Sequence, residues 1–529
     1  VLLSVGLPGV SCDHESTAAG GAPLAFAPPS TGDEARPKNG FSKGKRLAKR
    51  YCATCHMLPS PGHLDRNTWR RFVLPEMGMR LGMEPQNPEV KRRLKKEVAS
   101  RAGVERVRDA GVFPGRKQLP EADWKRIRQY YLSNAPDELE PGRRRDIDVG
   151  VPLFRTIRAA EIKRPEVVYV EINTSRGRVL VGNAARKTLH VYKPNGKITE
   201  KFALASAPID AELHRNYIDV LSAGQLNPND GLDGKLQRVY LTGERETTTL
   251  LRDLPRPVHF TSGFINDDEG RDYVIAGFGQ LLGRLTLYLN VDDRGYDRRI
   301  VLKEVPGALR SEIHDLDGDG RPDIIAQFGQ GAEGVYLFRN QGDGTFTERK
   351  LVSFPPSYGS SHFELVDFND DGHMDLITTN GDNGDYEPIL KPYHGIRIFL
   401  NDGSNQFEQK HFFPMHGAYG VEAADFDRDG DRDLVAVSYF PDLRNHPEES
   451  IVYLENQGNG QFDPRTISAF DAGKWSTLDT GDIDRDGDVD IVIGNFTRIT
   501  EAGRAPVSYK QRWKNQSLPP FLILENRLR

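Results

Sequence analysis

Cys52 and Cys55 stand three apart in Tyr51-Cys52-Ala53-Thr54-Cys55-His56, with a histidine directly after the second thiol. On one helical turn the two thiols can each form a thioether to a vinyl group of haem. The histidine is then placed to bind the iron from one face. The chain has three cysteines in 529 residues, and the third, Cys12, lies far upstream, so no disulfide framework competes for the pair. The same residue types also allow a zinc site, with Cys52, Cys55, His56 and His63 as ligands, or a redox dithiol.

Haem used for electron transfer needs a sixth ligand, and a methionine thioether raises its potential. Three of the six methionines fall in one short segment, Leu74-Pro-Glu-Met77-Gly-Met79-Arg-Leu-Gly-Met83. Met77 is the preferred ligand, with Met79 and Met83 as alternatives. Those that do not bind iron are expected to fill gaps in a core.

A second chemistry is written four times downstream. The segments are Asp315-Leu-Asp317-Gly-Asp319-Gly-Arg-Pro-Asp323, Asp367-Phe-Asn369-Asp-Asp371-Gly-His-Met-Asp375, Asp425-Phe-Asp427-Arg-Asp429-Gly-Asp-Arg-Asp433 and Asp482-Ile-Asp484-Arg-Asp486-Gly-Asp-Val-Asp490. Side-chain oxygens at positions 1, 3, 5 and 9, with glycine at 6, suit a hard cation that takes six or more oxygens, and up to four calcium ions are expected. An EF-hand would need a bidentate glutamate at position 12 and flanking helices. Position 12 is Ala326, Thr378, Ala436 and Ile493, within runs that read as strands, so EF-hands are excluded. An acidic turn repeated without metal is the alternative.

The elements that must hold the thiols are helical. Leu47, Ala48 and Tyr51 fall at helical spacing before Cys52, and Trp124, Ile127, Tyr131 and Leu132 do so within 121–132, between Pro120 and Pro136. Residues 36–140 resemble the cytochrome c domain at Cys52–His56, at Leu58-Pro-Ser-Pro and from Trp69 to Met77. The resemblance implies first and last helices that cross and enclose one covalent haem c. It departs from the usual pattern in placing Met77 only 21 residues after His56.

From about 146 the texture changes to short β-rich runs between Asp, Asn and Gly turns. Each acidic loop precedes a strand, and a later aromatic strand ends in asparagine, as in Val335-Tyr-Leu-Phe-Arg-Asn340, Ile396-Arg-Ile-Phe-Leu-Asn401 and Val452-Tyr-Leu-Glu-Asn456. Degenerate copies at Val179, Ile218 and Tyr273 bring the count to seven units of about 55 residues, which suits four-stranded propeller blades. These repeats resemble the FG-GAP/VCBS family, whose fold is an integrin-like β-propeller. The fold class is therefore multidomain: a small all-α cytochrome c domain at 40–140, then an all-β seven-bladed propeller at 146–529.

In that family the strand before each loop lines the axial channel. Glu312, Glu364, Glu422 and Asp479 then share one register, and Arg310, His362, Gly420 and Thr477 the next, with Trp475 further out. These groups could bind a cation or a polar ligand such as a carbohydrate, or simply bond the neighbouring blade's backbone. Residues 386–394, within a long insertion, are a candidate loop over the channel mouth.

Residues 1–12 read as the end of an export signal closing on a lipoprotein cysteine, Cys12, although Gly9 stands where a leucine-like residue is usual; 13–39 read as a flexible tether. Haem attachment to Cys-x-x-Cys-His takes place outside the bacterial cytoplasm, so an exported, periplasmic or outer-membrane-anchored protein is expected, touching membrane only through lipid. Between Arg36 and Arg145 there are 27 Lys and Arg against 12 Asp and Glu, a surplus of 15 that leaves −20 for the rest of a chain totalling −5. That asymmetry fits a redox partner steered by charge, and export argues against nucleic acid as that partner. No nucleophile elbow, phosphate loop or zinc-protease motif occurs. The functional expectation is an exported electron-transfer protein whose propeller docks a redox partner protein or a small-molecule reductant. The alternatives are a propeller oxidoreductase that passes electrons from a carbohydrate-like substrate to haem, and an integrin-like adhesion protein.

Overall fold

The computed structural model describes residues 39–54, 56–85, 87–92, 102–140, 142, 144–242, 246–266, 268–290, 295–384, 389–458, 460–498 and 505–528. Cys55, Tyr386, and the segments expected to hold the export signal and most of the tether lie outside the described residues.

The helices Asn39–Cys52, Leu74–Arg80, Val104–Asp109 and Glu121–Asn134 precede all the strands. The first and last cross at Gly44. A Cβ there would meet the Arg126 carbonyl and Tyr130 Cβ at 2.7 Å, so only glycine permits the approach. Their shared core is Ala48, Trp69, Leu74, Ile127 and Tyr131. Arg66–Thr68 starts a second helical run, capped by Asp65, whose carboxylate accepts the Thr68 N–H at 2.9 Å. The run widens to a π-turn at Trp69–Val73, where the Leu74 N–H donates to the Trp69 carbonyl. Pro75 comes next and has no N–H with which to continue a regular ladder. The widened turn directly precedes Met77.

Among the described residues a two-stranded sheet pairs Ile162–Lys163 with Ser517–Leu518, and seven larger sheets form the expected seven blades. Their inner strands are Val167–Asn173, Pro208–Leu213, Pro257–Gly263, Ala308–His314, Ser360–Val366, Ala418–Ala424 and Trp475–Gly481. The second strands of five blades, such as Asp323–Phe328 and Asp490–Asn495, are buried at every position, and those at Arg178–Asn183 and Tyr217–Ser222 at all but the first. Covered on both faces by neighbouring blades, they read as continuous apolar runs rather than alternating ones. The ring closes where the early strand Phe154–Arg158 pairs antiparallel with Phe521–Asn526 as the outer strand of the last blade. A further short strand, Asp148–Val149, adds in parallel to Phe462–Thr466. Neither strand was visible as a repeat: Phe154–Arg158 is cut from its own unit, and Asp148–Val149 is a two-residue addition to a blade that already has four strands.

One channel residue is corrected. Trp475 does not face the axis: it is fully buried between the last blades and donates its indole N–H to the Phe470 carbonyl at 2.6 Å. Pairing shifts between Trp475 and Thr477, so a β-bulge reverses the alternation at that point. The same shift recurs in every inner strand.

Candidate functional site

Cys52 ends the first helix, and His56 follows two residues after the turn. His56 Nδ1 lies 2.9 Å from the Met57 carbonyl oxygen. A carbonyl only accepts, so Nδ1 is the donor, and in the neutral ring that leaves the lone pair on Nε2. The following Pro59 and Pro61 carbonyls fix two large side chains: Tyr131 donates its hydroxyl to Pro59 at 3.1 Å and Trp69 its indole N–H to Pro61 at 2.8 Å. Those rings pack 4.4 Å apart.

Cys52, His56 and Met77 line one cavity, together with Trp69, Leu74 and Tyr131. It holds about 1150 Å³ of space unfilled by protein atoms, partly open to solvent. The three methionines separate. Met83 is 4 % exposed and packs in the helical core beside Gly78; Met79 is half-buried and away from the cavity wall. His63 sits elsewhere, with Nδ1 3.1 Å from Ser357 Oγ and its ring against Tyr358 and Tyr393. Among the described residues, ligand atoms able to share an ion gather in three places, all in the aspartate loops, and Cys52, His56 and His63 are not among them.

The opposite wall of the cavity is the propeller. Phe278, Gly329, Ser357, Ser360, Asp382 and Lys391 line it, at the end of the blades where the inner strands begin. There Gly307 N–H donates to Phe278, Gly329 to Gly307, and Gly381 to Gly359, in a backbone chain around the channel mouth. The described part of the insertion expected to cover that mouth lines the cavity there with Asp382, Ile389 and Lys391 and also meets the helices: Ile389 packs into their core and Tyr393 donates its hydroxyl to the His63 carbonyl at 2.6 Å. Arg106 also donates to the Asp230 carbonyl. Rings and hydrogen bonds hold the helices to the blades at these points. Past the helices, Arg144 pairs with Glu449 at 2.9 Å and with Asp442 at 3.7 Å.

In the four loops, position 1 accepts backbone N–H groups from the turn; Asp315, Asp367, Asp425 and Asp482 take the Gly320, Gly372, Gly430 and Gly487 N–H at 2.8, 2.9, 3.2 and 3.0 Å. The position-9 aspartates are fully buried, and Asp323, Asp375, Asp433 and Asp490 accept the N–H of Asn340, Asn401, Asn456 and Asn526 at 2.8, 2.7, 2.7 and 2.8 Å. That bond explains why each aromatic strand ends in asparagine. Carboxylate oxygens come within 4.8 Å of one another in Asp315, Asp317 and Asp323, in Asp425, Asp427 and Asp429, and in Asp482, Asp484 and Asp490. The loop with Asn369 forms no such group. Sequence reasoning missed Asp488, at position 7: it is 2 % exposed, neither oxygen has a partner, and burial then Asp486 push it up to about 6. The Gly-Asp pair after Asp486 was the available signal. In the loop at 315–323, Arg321 and Arg339 pair with Asp319 and Asp317.

Two of the four expected channel carboxyls, Glu364 and Asp479, bond the neighbouring blade's backbone, and so does Asp210, which was not expected. Asp210, Glu364 and Asp479 accept the inner-strand N–H of Phe260, Ala423 and Ile172 in the next blade, at 2.8, 3.2 and 2.5 Å. Two further acids at this level, Glu171 and Glu212, come from blades without a full loop and were not expected. Arg310 lies 3.6 Å from Glu312 on its own strand and is further stabilised by the charges of Glu422, Asp210 and Glu364, and His362 Nε2 lies 3.9 Å from Glu422. Burial raises Glu171 and Glu364 to about 8, Asp210 to about 7 and Asp479 to about 6. It also raises Glu422 well above the usual carboxylate range, with help from Glu364, and holds His259 and His362 neutral. A carboxyl raised in the folded state binds more protons there than when unfolded, so stability falls as pH rises from the unfolded value near 4 through the folded values. The melting temperature is expected to be lower at about pH 9 than at about pH 6. An equal or higher value at the alkaline end contradicts this arrangement.

Comparison with known proteins adds one assignment. Residues 315–378 match the FG-GAP-like repeat family. The chain carries an FG-GAP-like repeat. That match covers the fourth blade's loop and extends into the fifth, within a seven-bladed β-propeller. Similar solved structures include the N-terminal domain of Nup159, 10 % identical over 73 % of this chain and 99 % of that one with a TM-score of 0.40. The WD40 domain of Neurospora crassa Pan2 is 9 % identical over 72 % and 99 %, with a TM-score of 0.41. Likenesses at these scores carry no argument about function. No curated protein matches the chain.

Proposed function

We propose that this protein is an exported electron carrier with one covalent haem c, whose calcium-loaded propeller docks the partner or ligand. The observation that carries the reading is the convergence of Cys52, His56 and Met77 on one cavity walled by Trp69 and Tyr131. Fit supports it: the Met57 carbonyl sets the tautomer that leaves His56 Nε2 able to bind a metal, and the helical wall is apolar. Cys52 and Cys55 would hold the group by thioethers, His56 and Met77 would hold its iron, and it would supply a one-electron couple. The fixed rings keep water from that couple and the propeller covers the remaining side, so a partner exchanges electrons through protein contacts. Calcium in the loops is supported by the two bare oxygens of buried Asp488 and by the buried, unpartnered Asp425 Oδ1. Export, and a lipid anchor at Cys12, follow from the haem attachment motif and the leader-like segment. The test is acid–acetone extraction after expression in a host that matures c-type cytochromes. Haem colour that stays with the protein is expected; a colourless protein carrying zinc overturns the reading.

A second reading, a propeller oxidoreductase, is favoured by the position of the cavity at the channel mouth: Ser360 lines the cavity, while Ser361 and His362, next in the same strand, line the channel. Reduction of the haem by a member of a panel of sugars, slowed by His362→Ala or Glu364→Gln with the haem spectrum unchanged, is its expected sign. Reduction by small redox proteins alone supports the first reading.

A further inference from the structure

The cavity that gathers Cys52, His56 and Met77 has two unlike walls. The helical wall is apolar, whereas the propeller wall is polar and ends on the carboxyl group of Glu333, which meets both the backbone and the hydroxyl of Ser360 in the next blade. Glu333 lies between the turn Gln330–Ala332 and the strand Gly334–Asn340, lines the cavity, and is 3 % exposed. One of its oxygens accepts the Ser360 N–H at 2.5 Å. The other is buried without a hydrogen-bond partner. A carboxylate so placed is costly, and a protonated acid would have a hydrogen to donate into the cavity.

The charges around it do not remove that cost. Lys391 faces it, with Nζ held by the Ser357 carbonyl at 3.1 Å. Arg397 is spent on Asn380 Oδ1 at 2.7 Å and the Tyr393 carbonyl at 2.6 Å. Asp382 adds negative charge, and Tyr393 is a neutral phenol held up by burial. From the helical side, burial holds His63 down at about 4, so it stays neutral near pH 7. Burial outweighs Lys391, and the Glu333 carboxyl rises to about 8.

We propose that Glu333 takes up one proton when the haem of this protein gains one electron, and releases it on oxidation. The proposal rests on the haem reading above. A one-electron reductant supplies the electron to the iron, and solvent supplies the proton to the bare Glu333 oxygen; the O–H bond is the only bond formed. The oxidised centre carries one more positive charge than the reduced one. In a cavity of low dielectric that charge favours the carboxylate, and its loss favours the acid.

The experiment is a spectroelectrochemical titration of the haem-loaded protein across about pH 6 to 9, the range that brackets the raised carboxyl. The potential is expected to fall as pH rises, by up to about 59 mV for each tenfold change in proton concentration. Glu333→Gln should flatten the dependence without changing the haem spectrum, and Glu333→Asp should keep a slope. The reduced-minus-oxidised infrared spectrum of the unsubstituted protein should gain a carboxylic acid carbonyl band, which needs no variant to fold. A flat potential in the unsubstituted protein, absence of the band, or a slope that persists in Glu333→Gln overturns the proposal while the haem is still bound. A protein isolated without covalent haem overturns the haem reading as well, so the two failures are distinct.

Discussion

Replacing Met77 with alanine is expected to lower the reduction potential and abolish the weak methionine-to-iron absorption at the red end of the spectrum. Axial ligands set haem potentials over a span of about 0.8 V, and a thioether lies toward the high end. Loss of the thioether should therefore move the potential by a sizeable part of that span. Met77 stands on the wall shared with Cys52 and His56, in the helix Leu74–Arg80 that follows the π-turn Trp69–Val73. Its neighbours give internal controls. Met83 is 4 % exposed in the helical core, so Met83→Ala should cost about 2–5 kcal/mol of stability and leave the spectrum intact. Met79→Ala should do neither. An unchanged spectrum in Met77→Ala moves the sixth ligand to another residue.

Calcium removal is the second large effect. Extracellular calcium modules bind with Kd of about 10⁻⁴–10⁻³ M, so ~10 mM calcium adds about 1.4–2.7 kcal/mol per site by mass action. Three loops bring carboxylate oxygens within 4.8 Å of one another, and together they should contribute about 4–8 kcal/mol. The melting temperature should drop on the order of 10 °C in chelator and return with calcium. The loops should differ in strength. Residues 482–490 offer the buried, unpartnered Asp488 as a further donor, so Asp488→Asn should weaken binding most. The loop at 315–323 has Arg321 and Arg339 in competition for Asp319 and Asp317, and the loop at 367–375 has Asn369 in place of a carboxylate. A melting curve indifferent to both chelator and added calcium means the loops are turns and nothing more.

Much of this was legible in the residues, and the illegible parts have physical causes. The blades were countable because each second strand is buried on both faces and each aspartate loop must answer its asparagine, as Asp323 does Asn340 and Asp490 does Asn526. Glu312, Glu364, Glu422 and Asp479 were found by register from the loops. Glu171 and Glu212 were missed because their blades lack a loop from which to count. Trp475 was misplaced because a bulge reverses which way a side chain points and leaves no fixed sequence mark. The closing strand Phe154–Arg158 pairs across the whole ring with Phe521–Asn526, and no local pattern reports so distant a contact. The propeller wall of the cavity, with Glu333 and Lys391, was invisible for the same reason: it exists only where residues 226 or more positions from Cys52 meet it.

The central claim is that Cys52, Cys55, His56 and Met77 hold one haem against the propeller. Its most direct test is mass spectrometry of the peptide spanning residues 51–63, taken from protein made in a host that matures c-type cytochromes. One haem joined through both thiols is the expected result, with loss of the attached mass in the Cys52→Ala, Cys55→Ala double variant. Two unmodified cysteines, or a disulfide between them, in the unsubstituted protein would contradict it.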